Sequence, residues 1–476
     1  AEPALAGGAA AVFALSAAEL AEALPEGGDF AHLWKVYDRA PKTRGRSNVG
    51  GRCGRHLFET GETPALIRAV LDQAFEQECL RGADRAELFA RVRGWALDYL
   101  QCPVPWRRTQ PPGPDQGDSI EYTARQCRGL LANAFLGNVL DPMAEFKGSV
   151  GGLDFLAHYL DGAEGKVGVQ KTAALLMYFR RGMELAGTED DERRVVFVHQ
   201  RGPSDEAFRK LLSDRAGLPA AGGVGGGGAL RLHDKVMEAP EGATAFVNFA
   251  NAFYGVGCFI SSCTQEEILQ MACPEMNAGM LHIGKMKDDE VVVARNCRRF
   301  IEYSGYGQTF EVVGPWARDA VVDVLTMDAV FSRHYREESQ LRDVRKAYTA
   351  FAAHRSPDGC CPPRPLLPEG AAAVSSGRWG CGCFGGEPAH KLAQQVIAAR
   401  LAGVVLLFST FGCPDGCDVV ARALEQHPCT IGTLWRCALK AQGGAGRFEQ
   451  VLAEGLGAAT ARPREAPEAE STCTTA

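Results

Sequence analysis

The sequence predicts an α/β fold: a sheet covered by helices on both faces and packed against a helical N-terminal region. Short β-branched and apolar runs recur from about residue 195 onward. Helical segments alternate with them, and the first third of the chain shows helix spacing and helix-start signals. Uniformly apolar strands separated by helices imply a sheet buried on both faces.

Residues 1–55 are rich in Ala, Gly and Arg and read as a poorly ordered lead-in. Thr63-Pro64 offers an N-cap with Pro at the first helical position, and Leu66 to Leu80 continues at helical spacing. The stretch from Gln110 to Asp118 is a breaker-rich loop. Thr123-x-x-Gln126 is a capping-box signature, followed by Leu130, Leu131, Ala134 and Phe135 on one helix face. A further helix is expected from Val167 to Met183. Residues 56–190 are therefore read as a helical accessory region. Residues 191–445 are read as the α/β domain. Its strands are Val195 to Val198, Phe246 to Phe249, Glu290 to Ala294, Val321 to Leu325 and Val404 to Phe408. Its helices are Gln265 to Met271, Ser339 to Ala353 and Pro388 to Leu401. The Pro-, Glu- and Thr-rich residues 458–476 are expected to be disordered. Ala220 to Ala229 holds six glycines but lacks a Gly-Lys-Ser/Thr ending, so a flexible surface loop is expected rather than a phosphate loop.

Bulk properties narrow the function classes. A chain of 476 residues, 46% apolar and 23% charged, can bury a sizeable core. Its 51 Lys and Arg against 58 Asp and Glu give −7, which argues against direct nucleic-acid binding but leaves room for a local phosphate pocket. Among 17 cysteines, Cys360-Cys361, Cys381-x-Cys383 and Cys413-x-x-x-Cys417 are close pairs, yet none has zinc-ribbon spacing. Scattered reduced thiols in an intracellular protein are expected. No run of 18 uncharged apolar residues occurs, so no membrane helix is expected. Ala9 to Ala18 is short and has no basic stretch before it, so no secretory signal is expected either.

The chemistry concentrates between Phe246 and Glu275. A strand delivers Asn248 and Asn251, Gly255-Val256-Gly257 follows, and a helix opens at Thr264. Glycines between strand and helix let backbone N–H groups approach an anion, and the helix N-terminus adds more donors. A diphosphate suits this corner. Glu266 and Glu267 lie in the first helical turn. Thr264 with Glu267 three residues later is also a capping box, and acids favour a first turn in any helix. Successive helix positions point about 100° apart, so the two carboxylates serve different tasks.

This segment resembles the signature of the poly(ADP-ribose) glycohydrolases, a glycine-rich loop followed by Gln265-Glu266-Glu267. Further matching stretches follow the family's order: the Leu130 to Phe135 helix, Tyr303-Ser304-Gly305-Tyr306, and Trp379 to Gly386 with Thr410-Phe411-Gly412. The resemblance spans about residues 120 to 440. It implies a macrodomain-like mixed sheet sandwiched by helices, with a helical N-terminal accessory region, and hydrolysis of ribose–ribose bonds to release ADP-ribose. It makes Glu267 the general acid and base, passing through an oxocarbenium-like transition state. Glu266 and Asn251 would hold ribose hydroxyls. Gly255, Val256 and Gly257 would cradle the diphosphate, beside Gln265 of the signature. Phe384 would lie beside the ribose, Tyr306 and Phe411 would pack on the adenosine end, and Glu238 would accept from the adenine amine. Asn248 stands where the family usually has Asp, Val256 replaces a middle glycine, and Arg378 replaces Asn. These departures leave a weak or inactive ADP-ribose-binding module as the alternative. The resemblance implies no metal and no cofactor. It implies poly(ADP-ribose) and poly(ADP-ribosyl)ated proteins as partners, no membrane, a monomer, and a nuclear or cytoplasmic place in the DNA damage response.

Away from this constellation, His282 and His390 read as surface or loop histidines. Glu189 to Arg194 and Asp288-Asp289-Glu290 read as solvated, and a lone Phe384 or Phe411 would by default be core.

Overall fold

The computed structural model describes residues 12–39, 63–140, 142, 153, 155, 165–220, 230–255, 263–318, 321–356, 372–441 and 447–457. Residues 1–11 and 40–55 of the lead-in, the glycine run 221–229, loop 256–262 with Val256 and Gly257, and the tail 458–476 lie outside the described residues. Residues 12–39, expected to be poorly ordered, instead form two helices and bury Leu20, Leu24, Phe30, Leu33 and Val36.

The N-terminal region is helical: α1 Ala17–Ala23, α2 Leu33–Arg39, α3 Thr63–Phe75, α4 Arg85–Gln101, α5 Ala124–Phe135 and α6 Lys166–Leu185. Local chemistry fixes several starts. The Asp84 carboxylate accepts from the backbone N–H groups of Ala86 and Glu87 at the head of α4. Thr123 and Gln126 close the expected capping box on α5. The helix expected from Leu66 to Leu80 ends earlier, at Phe75, and Glu78–Leu80 forms a separate 3-10 turn. A further helix, α7 Asp205–Asp214, is capped by Ser204.

The remaining elements are β1 Gly117–Thr123, β2 Arg194–Arg201, β3 Leu230–His233, β4 Ala245–Ala250, α8 Gln265–Ala272, β5 Glu290–Arg298, β6 Ile301–Ser304, β7 Glu311–Pro315, β8 Val321–Asp328, α9 Glu337–Arg355, β9 Ala373–Ser376, α10 Pro388–Ala402, β10 Val405–Ser409, α11 Cys417–Gln426, α12 Ile431–Lys440 and α13 Arg447–Gly455. Eight strands form one mixed sheet in the order β1-β2-β5-β8-β4-β9-β10-β3, and β6 and β7 pair separately. The β1-β2-β5-β8 half is antiparallel. The β8-β4-β9-β10-β3 half is parallel.

Alternation along each strand sorts side chains to two faces. Val195 and Phe197 of β2, Phe246 of β4, and Val292 and Ala294 of β5 join a core with the N-terminal helices and α8. Their neighbours Val196, Val198, Val247, Val291 and Val293 join a second core with α7, α9, α10, α12 and α13. This two-sided burial explains why the strands read as unbroken apolar runs. Among the described residues, no helix is long and apolar enough to cross a membrane.

Three sequence expectations need correction. His282 and His390 are buried rather than at the surface. Tyr122 Oη donates to His282 Nε2 (2.5 Å), and His282 Nδ1 donates to the Arg107 carbonyl (2.7 Å). Burial holds the ring neutral, with a pKa of about 4. Glu290 is buried at the head of β5, facing His199 at 3.3 Å. In the segment 189–194, Asp190 and Arg193 are largely buried, and Arg193 reaches on to Glu275. Charge alone suggested solvent, but each group has a long-range partner.

Candidate functional site

The candidate corner lies where β4 hands over to α8, at the carboxyl ends of the parallel strands. Open α/β sheets gather ligands on this edge. β9 pairs with β4 only at Ala245 and Phe246. Beyond that point Gln265 takes over: Phe249 N–H donates to its Oε1 (2.7 Å), and its Nε2 donates to the Val247 carbonyl (2.9 Å). The side chain therefore continues the ladder where the strand partner stops, and it fixes the first residue of α8 against the sheet.

Thr264 closes the capping box. Its backbone N–H and its hydroxyl both donate to Glu267 Oε2, at 2.7 and 2.5 Å. Glu267 is only 3% exposed. Burial raises its pKa, opposed chiefly by the Thr264 hydroxyl and by the charge of buried Lys171 on α6. The neighbouring Glu266 turns elsewhere, as the helical step requires, and its Oε2 accepts the Asn251 backbone N–H (3.1 Å). Its Oε1 is buried without a partner. Burial, then the adjacent Glu267 charge, push Glu266 well above the ordinary carboxylate range. Asn248 faces its cross-strand neighbour and donates from Nδ2 to Thr326 Oγ1 (3.3 Å), leaving Oδ1 buried and unpartnered. Asn251 Oδ1 accepts from Phe253 N–H (3.0 Å). Gly255 has φ +75°, and an added Cβ would lie 2.6 Å from Met280 Cγ, so no other residue fits there without displacement.

After β9 the chain turns through Gly377 to Gly386. Trp379 is buried and donates from Nε1 to the Met327 carbonyl (3.0 Å), which pins this loop onto β8. Under it runs a buried ion network: Asp343 with Lys391 and Arg342, and Asp328 with Arg342 and Lys346. Burial alone would raise Asp343, but Lys391 and then Arg342 outweigh it and hold the pKa low. Phe384 is half-buried at the loop tip, its ring 5.3 Å from Phe331.

The far end is built by β3's exit, the β6–β7 hairpin and β10's exit. Ser375 and Ser409 donate to the Met237 and Lys235 carbonyls and hold that segment across the strand ends. Glu238 is 3% exposed. Tyr303 Oη donates to its Oε2 (2.7 Å), while Oε1 is buried and unpartnered. Arg299 grips the Glu238 carbonyl and lies 3.5 Å from the centre of the Trp316 ring. Tyr306 and Phe411 face each other with ring centroids 5.7 Å apart. Phe411 is 49% exposed and sits at φ 51°, a left-handed backbone costing a non-glycine residue roughly 1–2 kcal/mol. It is not core.

The fold thus gathers Glu238, Asn248, Asn251, Gly255, Gln265, Glu266, Glu267, Tyr306, Phe384 and Phe411 along one edge of the sheet. Val256 and Gly257 lie outside the described residues. Sequence reasoning missed Lys171, Tyr303, Thr326 and Asp328. Only Tyr303 carried a signal, three residues before Tyr306 in the same motif; the others come close through the topology. Among the described residues, no group of three or more His, Cys, Asp or Glu side chains could hold a metal ion.

Comparison with known proteins gives a consistent result. Residues 229–416 match the family model described as poly(ADP-ribose) glycohydrolase, macro domain fold. Poly(ADP-ribose) glycohydrolase 1 of Arabidopsis thaliana is 26% identical over 283 residues, covering 44% of this chain and 52% of the relative. Poly(ADP-ribose) glycohydrolase 1 of Caenorhabditis elegans is 30% identical over 227 residues, covering 43% of this chain and 28% of the relative. The match thus spans about half or less of these relatives' length. A solved poly(ADP-ribose) glycohydrolase from Deinococcus radiodurans, in complex with ADP-ribose, is 17% identical over 50% of this chain and 91% of that one, with a TM-score of 0.28, too loose to bear on the fold.

Proposed function

Because residues 229–416 belong to the poly(ADP-ribose) glycohydrolase family, with its macrodomain fold, we propose that this chain binds ADP-ribose units and hydrolyses the ribose–ribose bonds of poly(ADP-ribose). The observation that supports this most directly is the Glu266–Glu267 pair: two buried neighbouring carboxylates with separate partners at the head of α8, both raised in pKa.

A general acid needs a pKa near working pH. The helix N-terminus lowers the pKa of an acid, whereas burial raises it, and at Glu267 burial is the larger effect. Glu267 Oε2 is occupied by Thr264, so Oε1 carries the transferable proton. It protonates the departing ribose oxygen, then takes a proton from the water that attacks the anomeric carbon. Glu266 and Asn251 bind ribose hydroxyls. The unpartnered Glu238 Oε1 accepts from the adenine amine, and Tyr306 and Phe411 pack on the adenosine end. Gly255, with Val256 and Gly257, lets the backbone approach the diphosphate, and Phe384 flanks the ribose. Asn248 contributes its free amide oxygen, and Gln265 acts through its grip on β4.

Residues 191–445 are read as the catalytic unit and 56–190 as its accessory region. The partners are read as poly(ADP-ribose) and proteins carrying it, in the nucleus or cytoplasm. Free cysteines among the described residues suit such a reducing compartment.

Incubation with labelled polymer tests the reading. Release of ADP-ribose supports it, and binding without release would leave a polymer-binding module. Glu267→Gln is expected to abolish release while retaining ADP-ribose binding. Turnover is expected to fall on the alkaline side, as Glu267 loses its proton.

A further inference from the structure

We propose that Phe331 and Arg333, on the loop joining β8 to α9, form a second subsite that takes the nucleoside on the leaving side of the cleaved bond. The proposal rests on the hydrolase reading above.

Phe331 is 71% exposed, more than any other large hydrophobic side chain among the described residues. An aromatic ring left mostly in water contributes little to the fold beyond its edge contact, and exposed apolar surface of this kind marks contact sites. Its position is nevertheless fixed. Its ring meets Phe384 edge-on, with centroids 5.3 Å apart and planes at 65°. Two residues back, Ala329 packs where a Cβ on Gly380 would fall. Val330 N–H donates to buried Asp343 (3.1 Å), and His334 Nε2 donates to the Phe384 carbonyl (2.6 Å). The loop is thus fastened to the Trp379–Gly386 turn from both sides of Phe331. Arg333 is exposed beside it with φ 60°, and Arg336 is exposed one turn on.

Topology sets the direction. Glu267 follows β4, Phe384 follows β9 and Phe411 follows β10, whereas Phe331 follows β8. β8 and β10 flank the β4–β9 pair on opposite sides. An ADP-ribose running from the Tyr306–Phe411 rings to Glu267 therefore points its distal ribose toward β8. In the polymer, that ribose is joined to a hydroxyl on the adenosine of the next unit. The departing alcohol is a nucleoside, and its adenine and diphosphate must occupy the space beyond Glu267, on the β8 side where Phe331 stands. Phe331 offers the stacking face and Arg333 the positive charge that this group needs. Base–aromatic stacking depends little on sequence, as a repeating polymer requires.

The test compares KM for poly(ADP-ribose) with the calorimetric Kd for free ADP-ribose, in the full chain and its Phe331→Ala, Phe331→Trp and Arg333→Gln forms. Expected are a polymer KM raised about tenfold in F331A, recovery in F331W, and a shallower salt dependence in R333Q. The ADP-ribose Kd, which samples only the first unit, should move far less than the polymer KM. Equal polymer KM in parent and F331A would remove the subsite while leaving the hydrolase reading intact. An equal loss for polymer and monomer would place Phe331 in the first unit's site and overturn the proposal. A parent protein that releases no ADP-ribose from polymer would overturn the hydrolase reading and the subsite with it.

Discussion

Replacing Gln265 with Met preserves side-chain length but removes both hydrogen bonds that seat α8 on β4. The amide now satisfies the Phe249 N–H (2.7 Å) and the Val247 carbonyl (2.9 Å). β9 has already left the ladder at Phe246, so no strand can replace it. Each buried backbone group left without a partner costs about 1–3 kcal/mol. With two such groups, Gln265→Met should therefore destabilise the protein by about 2–6 kcal/mol. Gln265→Ala should cost less, because the vacated space admits a water that bonds to both groups. The Met form should also lose polymer hydrolysis by more than about tenfold, since small displacements of catalytic groups are expensive. The measurements are the free energy of unfolding in urea and initial rates on labelled polymer. If the Met form unfolds within about 0.5 kcal/mol of the parent and turns over normally, Gln265 does not seat the helix.

Further outcomes follow from the same geometry. On the proposed reading, Glu238→Gln, with its amide oxygen held by the Tyr303 hydroxyl, turns a donor toward the adenine amine, so ADP-ribose affinity measured by calorimetry should fall about 10- to 100-fold. Gly255→Ala combines φ +75° with a Cβ 2.6 Å from Met280 Cγ; it should lose at least about 1–2 kcal/mol of stability, read by thermal unfolding. Lys391→Met strips fully buried Asp343 of one of its two charged partners and should cost about 3–5 kcal/mol in urea. His282 and His390 have folded pKa values of about 4 and about 3, below the ordinary 6.5. Their contribution is intact above pH 6.5 and is lost as pH falls, because the unfolded chain takes up protons first. Between pH 6.5 and 4 the loss should approach about 1.4 kcal/mol per unit for each ring. Unfolding across that range should show a flatter dependence in His282→Gln.

Much of the fold was legible because two-sided burial writes itself into composition. Val195 to Val198 and Phe246 to Val247 needed apolar atoms on both faces, while Val404, Leu406 and Phe408 line one core from a single face. Thr123 and Gln126 were legible because a capping box is a local bond pair at fixed spacing. β1 and β3 were not, since Gly117–Thr123 and Leu230–His233 lie at the sheet edges and carry mixed, half-exposed side chains. The site divides in the same way. Gln265-Glu266-Glu267 announced itself as a motif, and the cap, the physical alternative to catalysis, is formed. Lys171 and Asp328 could not be foreseen. A buried lysine on α6 or an aspartate ending β8 acquires meaning only through neighbours far away in the chain. The buried histidines were misjudged for the same reason, because nothing adjacent to His282 hints that Tyr122 will meet it.

The double engagement of Glu267 Oε2 has a consequence for how the protein tolerates change. A neutral carboxyl is a weaker acceptor than an anion, so each time this side chain takes up a proton, the winding of the first turn of α8 slackens by roughly 1 kcal/mol. Rigidity at that corner and readiness to donate pull against each other on a single pair of oxygens. Neither property can be adjusted by substitution there without moving the other.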